Sequence, residues 1–146
     1  MDVTGNATIA TSDIDNGSTD ACGIDTMFVT PSTVTCANVG VVAGVLTVID
    51  VNGNSETCNT NITVQDTQAP AAVCQDATVQ LDATGNLTIA TSVVDNGSSD
   101  GCGIDSMDVA PNTFTCANLG VNAVTLDVTD NNSNTISCAA NVTVED

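Results

Sequence analysis

The chain contains no lysine, no arginine and no histidine, and neither tryptophan nor tyrosine occurs in it. These absences remove the usual general bases, phosphate clamps, oxyanion partners and base-stacking platforms. Lysine-based cross-links and tryptic cleavage are excluded by the same count. Only a pair of carboxylates could run acid–base chemistry, and no sequence feature marks one whose pKa is raised in a pocket. The chain is therefore expected to be no enzyme. No apolar run reaches membrane-spanning length, so no membrane insertion is expected.

The charge that is present has one sign. The net charge is −18, and sixteen of the eighteen acids are Asp, with Glu56 and Glu145 the exceptions. Asp favours turns, where its short side chain bonds nearby backbone, and it is also a good ligand for hard cations. The acids are dispersed, mostly at the ends of apolar runs, unlike an acidic tail. Such a polyanion repels nucleic acid and anionic lipid and attracts divalent cations. Seven cysteines with two Phe as the only aromatics describe small domains short of core. Cysteine used in this way points to an oxidising, extracellular setting, and the chain is expected to be a mature piece of an exported protein.

Residues 1–66 align without gaps on residues 81–146, with 39 identities. DVTGNATIATS matches DATGNLTIATS, PSTVTCANVG matches PNTFTCANLG, and NITVQD matches NVTVED. TQAP, residues 67–70, reads as a linker, and a second domain spans 71–146. That domain opens with AAVCQDATVQ, which has no counterpart in the first, because Met1 falls where Leu81 sits. Apolar residues alternate with polar ones: Val79 and Leu81, Leu87 and Ile89, Val124, Leu126 and Val128, Val142 and Val144. The pattern predicts an all-β chain of two tandem immunoglobulin-like antiparallel β-sandwiches, the first lacking its first strand. Phe114 reads as core, whereas Phe28 is replaced by Asp108 in the second copy.

A shift of eighty maps Cys22, Cys36 and Cys58 onto Cys102, Cys116 and Cys138. With Cys74, the complete repeat owns four cysteines, which allow three connectivities. Cys22–Cys36 and Cys102–Cys116 can close local loops, and Cys74–Cys138 can tie first strand to last. Cys58 is then left for a cysteine outside the chain. The rival is Cys58–Cys74, which would orphan Cys138. If subunits associate, the missing first strand could come from a neighbour, with Cys58 bridging between chains.

CQDATVQLDATGN, DNGSSDGCGI, PNTFTCANLG, VTLDVTDNNSN and SCAANVTVED together resemble the HYR-like (hyalin-repeat-related) immunoglobulin-like domains. These domains occur in tandem arrays in surface adhesins and filament proteins of Bacteroidota. The resemblance covers essentially the whole chain and implies a spacer or fibre unit at the cell surface. It also supports pairing the first strand to the last, and it implies neighbouring repeats or identical filament subunits as partners.

The repeated acidic loop, DIDNGSTDACGID and VVDNGSSDGCGID, raises the question of a cation. Asp15, Asp20 and Asp25 recur as Asp95, Asp100 and Asp105, whereas Asp13 is replaced by Val93. Three carboxylates within eleven residues are expected to hold Ca²⁺. The bland reading is a hydrated turn, with Gly17 and Gly97 at positive φ and Asp capping backbone N–H groups. Secondary candidates are Asp50 and Asn52, Asp130 and Asn132, and Asp66 beside the linker, together with Asp13. Thr26 and Ser106 follow Asp25 and Asp105 and precede methionine, a pattern that resembles the Asp-Ser/Thr-apolar O-glycosylation signal of Bacteroidota. The functional expectation is a structural repeat of an extracellular filament or adhesin stalk, disulfide-stapled and calcium-stiffened. The alternative is an adhesive module gripping a glycan or surface protein through its loops; such sites favour aromatic or Arg anchors, which are scarce here.

Overall fold

Thr and Val dominate the alternating segments, and β-branched side chains pack best on a pleated surface. Strand accordingly makes up 53% of the computed structural model, which describes residues 1–146, and no helix reaches seven residues. The chain is all-β, with sheets of immunoglobulin-like sandwich type. It divides into two units, Met1–Asp66 and Thr67–Asp146. The only helical pieces are 3₁₀ turns at Thr11–Asp13, Cys36–Asn38, Thr91–Val93 and Cys116–Asn118.

The first unit holds β1 (Asn6–Thr8), β2 (Ile24–Thr30), β3 (Thr33–Thr35), β4 (Gly40–Asp50) and β5 (Ser55–Val64). Its larger sheet runs β2-β4-β5, and β1 pairs with β3 in a small second sheet. The second unit holds β6 (Ala77–Gln80), β7 (Asn86–Thr88), β8 (Ile104–Ala110), β9 (Thr113–Thr115), β10 (Gly120–Asp130) and β11 (Thr135–Glu145). Its sheet runs β6-β11-β10-β8, with β7 paired to β9. Every pairing is antiparallel except β6 with β11, which is parallel. Alternation in a single strand does not encode the direction of its neighbour, so this pair was not legible in the pattern.

In the second unit Val124, Leu126 and Val128 of β10 and Ala140, Val142 and Val144 of β11 all point inward and are buried. Phe114 of β9, Val109 of β8, Ile89 and Val94 complete the same cluster, so the two sheets share one core. Each of these Val, Leu, Ile and Phe side chains contributes roughly 1.5–3 kcal/mol on burial. Phe28 is exposed on β2, and its counterpart Asp108 is exposed on β8.

The first unit packs the same layer differently. Gly44 stands where the second unit has Val124. A Cβ at Gly44 would lie 2.5 Å from Ile62 Cδ1 and 3.3 Å from Thr60 Cγ2. The second unit carries the smaller Val142 and Ala140 at those two places, so volume lost at one position is returned at its neighbours. Gly44→Val alone is expected to destabilise the first unit by about 1–3 kcal/mol through overpacking. Adding Ile62→Val and Thr60→Ala is expected to recover most of that loss, as read by urea unfolding; no recovery would break the volume argument.

Candidate cation site and cysteine framework

The acidic loop is built from Asp residues that fold back on their own backbone. Asp15 accepts hydrogen bonds from Gly17 N (3.3 Å) and Ser18 N (3.0 Å), and Asp95 accepts from Gly97 N and Ser98 N at the same distances. Gly17 and Gly97 turn at φ +94° and +89°, a region that glycine enters without steric cost. Asp20 accepts from Cys22 N, and Asp100 from Cys102 N, each at 2.7 Å. Asp25 and Asp105 lie outside the loop on β2 and β8. There the ladder slips from Ile24 to Thr26 and from Ile104 to Ser106, leaving each Asp as the extra, exposed residue of a β-bulge.

The three carboxylates expected to act together are therefore not gathered. Neither Asp15, Asp20 and Asp25 nor Asp95, Asp100 and Asp105 bring ligand atoms within 4.8 Å of one another. Asp13 caps the first 3₁₀ turn by accepting from Ala10 N at 2.8 Å, work that Val93 cannot do in the second copy. Asp66 ends the first unit, just beyond β5. Thr26 and Ser106 are exposed on β2 and β8, each the outermost strand of its sheet.

Asp50 and Asp130 organise the long hairpins. Asp130 accepts from Asn132 N and Asn134 N, each at 2.8 Å, and from Asn134 Nδ2 at 2.7 Å. Asp50 does the same with Asn52 and Asn54. The turn needs a positive φ, supplied by Gly53 at +85° and, exceptionally, by Ser133 at +70°. Asn52 and Asn132 thus enter through their backbone N–H groups.

Two carboxylates escaped the sequence reading. Asp2 and Asp82 each accept from the N–H and hydroxyl of the Thr two residues on and from the Asn N–H four residues on. The signal was available, since D-x-T-G-N recurs unchanged in both copies. Asp76 was missed as well. It accepts from Asn141 N at 2.7 Å and joins the approach to β6 onto β11.

The cysteines depart from two of the expected pairings. Cys74–Cys138 forms, with a Cα–Cα distance of 5.9 Å, and ties the approach to β6 onto β11. Cys36 and Cys102 are disulfide-bonded too. Cys22, Cys58 and Cys116 are exposed free thiols, so neither Cys22–Cys36 nor Cys102–Cys116 closes a local loop, and the rival Cys58–Cys74 is absent. The reason is topological. The seven residues of β2 carry the chain roughly 23 Å from Cys22, and the three of β3 return only about 10 Å. β3 also leaves the sheet of β2 to pair with β1, and β9 leaves that of β8 to pair with β7. Closeness in sequence therefore does not become closeness in space.

No family model matches the chain, and no curated protein matches it either.

The same hydrogen bonds set the response to acid. Asp2, Asp15, Asp50, Asp82 and Asp95 are held below the ordinary carboxyl range, chiefly by the side-chain donors Thr4, Ser18, Asn54, Thr84 and Ser98 and then by backbone N–H groups. At Asp130 burial pushes upward, but the Asn134 side chain and the turn N–H groups outweigh it, so this carboxyl is lowered as well. A carboxyl lowered on folding stabilises fully above its unfolded value of ~3.9, and that stabilisation is lost as pH falls through the folded value. Relief of self-repulsion in a −18 chain acts in the opposite direction over the same range. A difference measurement separates the two effects. Asp130→Asn is expected to lower the stability of the second unit by about 1–3 kcal/mol at pH 7. Its melting curve should converge on that of the parent as pH falls below about 4. A difference independent of pH would show that the charge of Asp130 does no work.

Proposed function

We propose that the chain is a structural repeat unit of an extracellular bacterial filament or adhesin stalk of the HYR-like kind. The observation that carries this reading is repetition of the whole 66-residue pattern, turns and bulges included, with no constellation of catalytic or ligand-gripping groups recurring in it. A spacer needs the same rigid body again; a binding module needs anchors, and its usual aromatic and Arg anchors are missing apart from Phe28, which only one copy has.

The setting supports the same reading. The disulfides suggest an oxidising, extracellular environment, and no helix is long and apolar enough to cross a membrane. A net charge of −18 disfavours nucleic acid and anionic lipid as partners, leaving neighbouring repeats or identical subunits. Absence of Lys and Arg also denies trypsin-like proteases their cleavage sites. Negative-stain images of the parent assembly should show rods or fibres whose period corresponds to one repeat. Dispersed globular particles with glycan affinity would overturn the proposal in favour of an adhesive module.

Calcium belongs to this proposal on grounds of charge. Eighteen carboxylates and no side-chain cation leave divalent ions as the available counter-charge. The carboxylates sit in separate turns, so each offers an ion only the lone pairs its own N–H donors leave over. The expected behaviour is weak, graded binding. Melting temperature should rise gradually through millimolar Ca²⁺, further than with NaCl at equal ionic strength. No difference between the two salts would remove calcium from the proposal.

A further inference from the structure

The two copies of the repeat differ in one element, and the second shows what that element does. Residues 71–80 first run beside the acidic loop and then pair with β11. Ala71 exchanges two backbone hydrogen bonds with Ser99, Val73 N donates to Ser98 Oγ and Val73 O accepts from Asn96 N, and Gln75 N donates to Val94 O. Cys74 is bonded to Cys138, Asp76 accepts from Asn141 N, and Ala77–Gln80 pair in parallel with Val142–Glu145. Leu81 N closes the run on Glu145 O.

The first unit carries the matching bed, and no strand lies on it. β5 is the outermost strand of its sheet. Met1 N reaches Gln65 O just as Leu81 N reaches Glu145 O, which fixes the register of the bed. Cys58, the counterpart of Cys138, is an exposed free thiol. A cavity of about 230 Å³ beside it is lined by Ser18, Thr19, Val48, Glu56, Thr57 and Cys58. Ser18 and Thr19 are the counterparts of Ser98 and Ser99, the residues that hold Ala71 and Val73 in the second unit. Core exposure follows. Val94, Val128 and Val142 are wholly buried, whereas Ile14, Val48 and Ile62 at the same places are only partly covered.

We propose that the edge of β5 takes a β6-type strand, docked in parallel on Asn61–Gln65 and bonded covalently to Cys58. The donor reads C-x-D-x-T-V-x. Its cysteine meets Cys58, its Asp accepts from Asn61 N, and its Thr and Val take the register of Thr63 and Val64. A second copy of this chain is not the donor, because its own β6 is already bonded into its second unit. The covalent step is a thiol–disulfide exchange. Cys58 thiolate attacks the donor cysteine while the latter is held as a disulfide with a small thiol or an oxidoreductase; the new S–S bond forms, the old one breaks, and the leaving thiol departs with the electron pair. The inference concerns only the edge of the first unit and stands apart from the filament reading.

The test offers the full chain a peptide of residues 71–80, AAVCQDATVQ, with its cysteine as a 2-thiopyridyl disulfide. Docking raises the local concentration of the reacting sulfur, so Cys58 should take the peptide at least about tenfold faster than Cys22 or Cys116. Amide exchange should then slow at Asn61–Gln65. A scrambled peptide with the same cysteine should lose both effects, and one lacking the Asp should lose part of the rate advantage. An equal rate for native and scrambled peptides, or an adduct without protection of Asn61–Gln65, would overturn the proposal. So would a dimer of the untreated chain linked Cys58 to Cys74, which would mean exchange of β6 between two copies.

Discussion

The hydrogen bond from a backbone N–H group to a carboxylate is the interaction on which the turns of this structure depend. In a chain with sixteen Asp and no side-chain cation, the Asp residues that organise the turns sit where amides and hydroxyls two to four residues away donate to them. That placement fixes the architecture of the turns. Asp2 and Asp82 hold the turns before β1 and β7, Asp15 and Asp95 the acidic loop, and Asp50 and Asp130 the hairpin joining the two longest strands. Local partners also explain why acid residues are tolerated at such density. Each bond is short-range and specific, whereas the repulsion between carboxylates is spread through water and screened by salt.

With the turns fixed locally, what remains for tertiary structure is coverage of the strands. The two units form an internal comparison, since their sequences agree at 39 of 66 positions and the second has one strand more. Adding β6 does more than lengthen a sheet. Its approach carries Cys74 and Ala72 onto the core cluster, and Val79 and Leu81 pack against the same cluster. The first unit, without these groups, keeps a buried centre in Leu46 and Val34 while its margin at Val48, Ile14 and Ile62 is only partly covered. The strand therefore acts as a lid on one side of the sandwich, and the disulfide to its approach fastens that lid.

Much of this was legible in the residues. Period-two alternation identified β10 and β11 and their inward faces, and the offset of eighty exposed both the repeat and the missing strand. The bond between Cys74 and Cys138 followed from placing first strand beside last. The acidic loop was read as a cluster because its carboxylates are close in sequence, yet Asp15 and Asp20 turn to separate backbone donors and the bulge leaves Asp25 exposed on β2. The local cysteine loops failed for a related reason: a seven-residue strand is a rigid spacer, and the chain changes sheets before the second cysteine arrives. Alternation reports which face a residue occupies, and proximity along an extended chain reports little else.

The same distinction bears on how the repeat was free to diverge. The Asp residues at the centres of the turns, Asp15 and Asp95 and Asp50 and Asp130, keep the same donor atoms in both copies, because a local hydrogen bond has no substitute nearby. Positions that fill the core trade volume in groups, as Gly44, Ile62 and Thr60 do against Val124, Val142 and Ala140. Packing is a collective constraint and tolerates such exchanges; an Asx turn is an individual one and does not. Cys58 belongs to neither class within its own unit, where it has no partner and fills no core. Its retention at the place of Cys138 fits the strand proposed to lie beside β5.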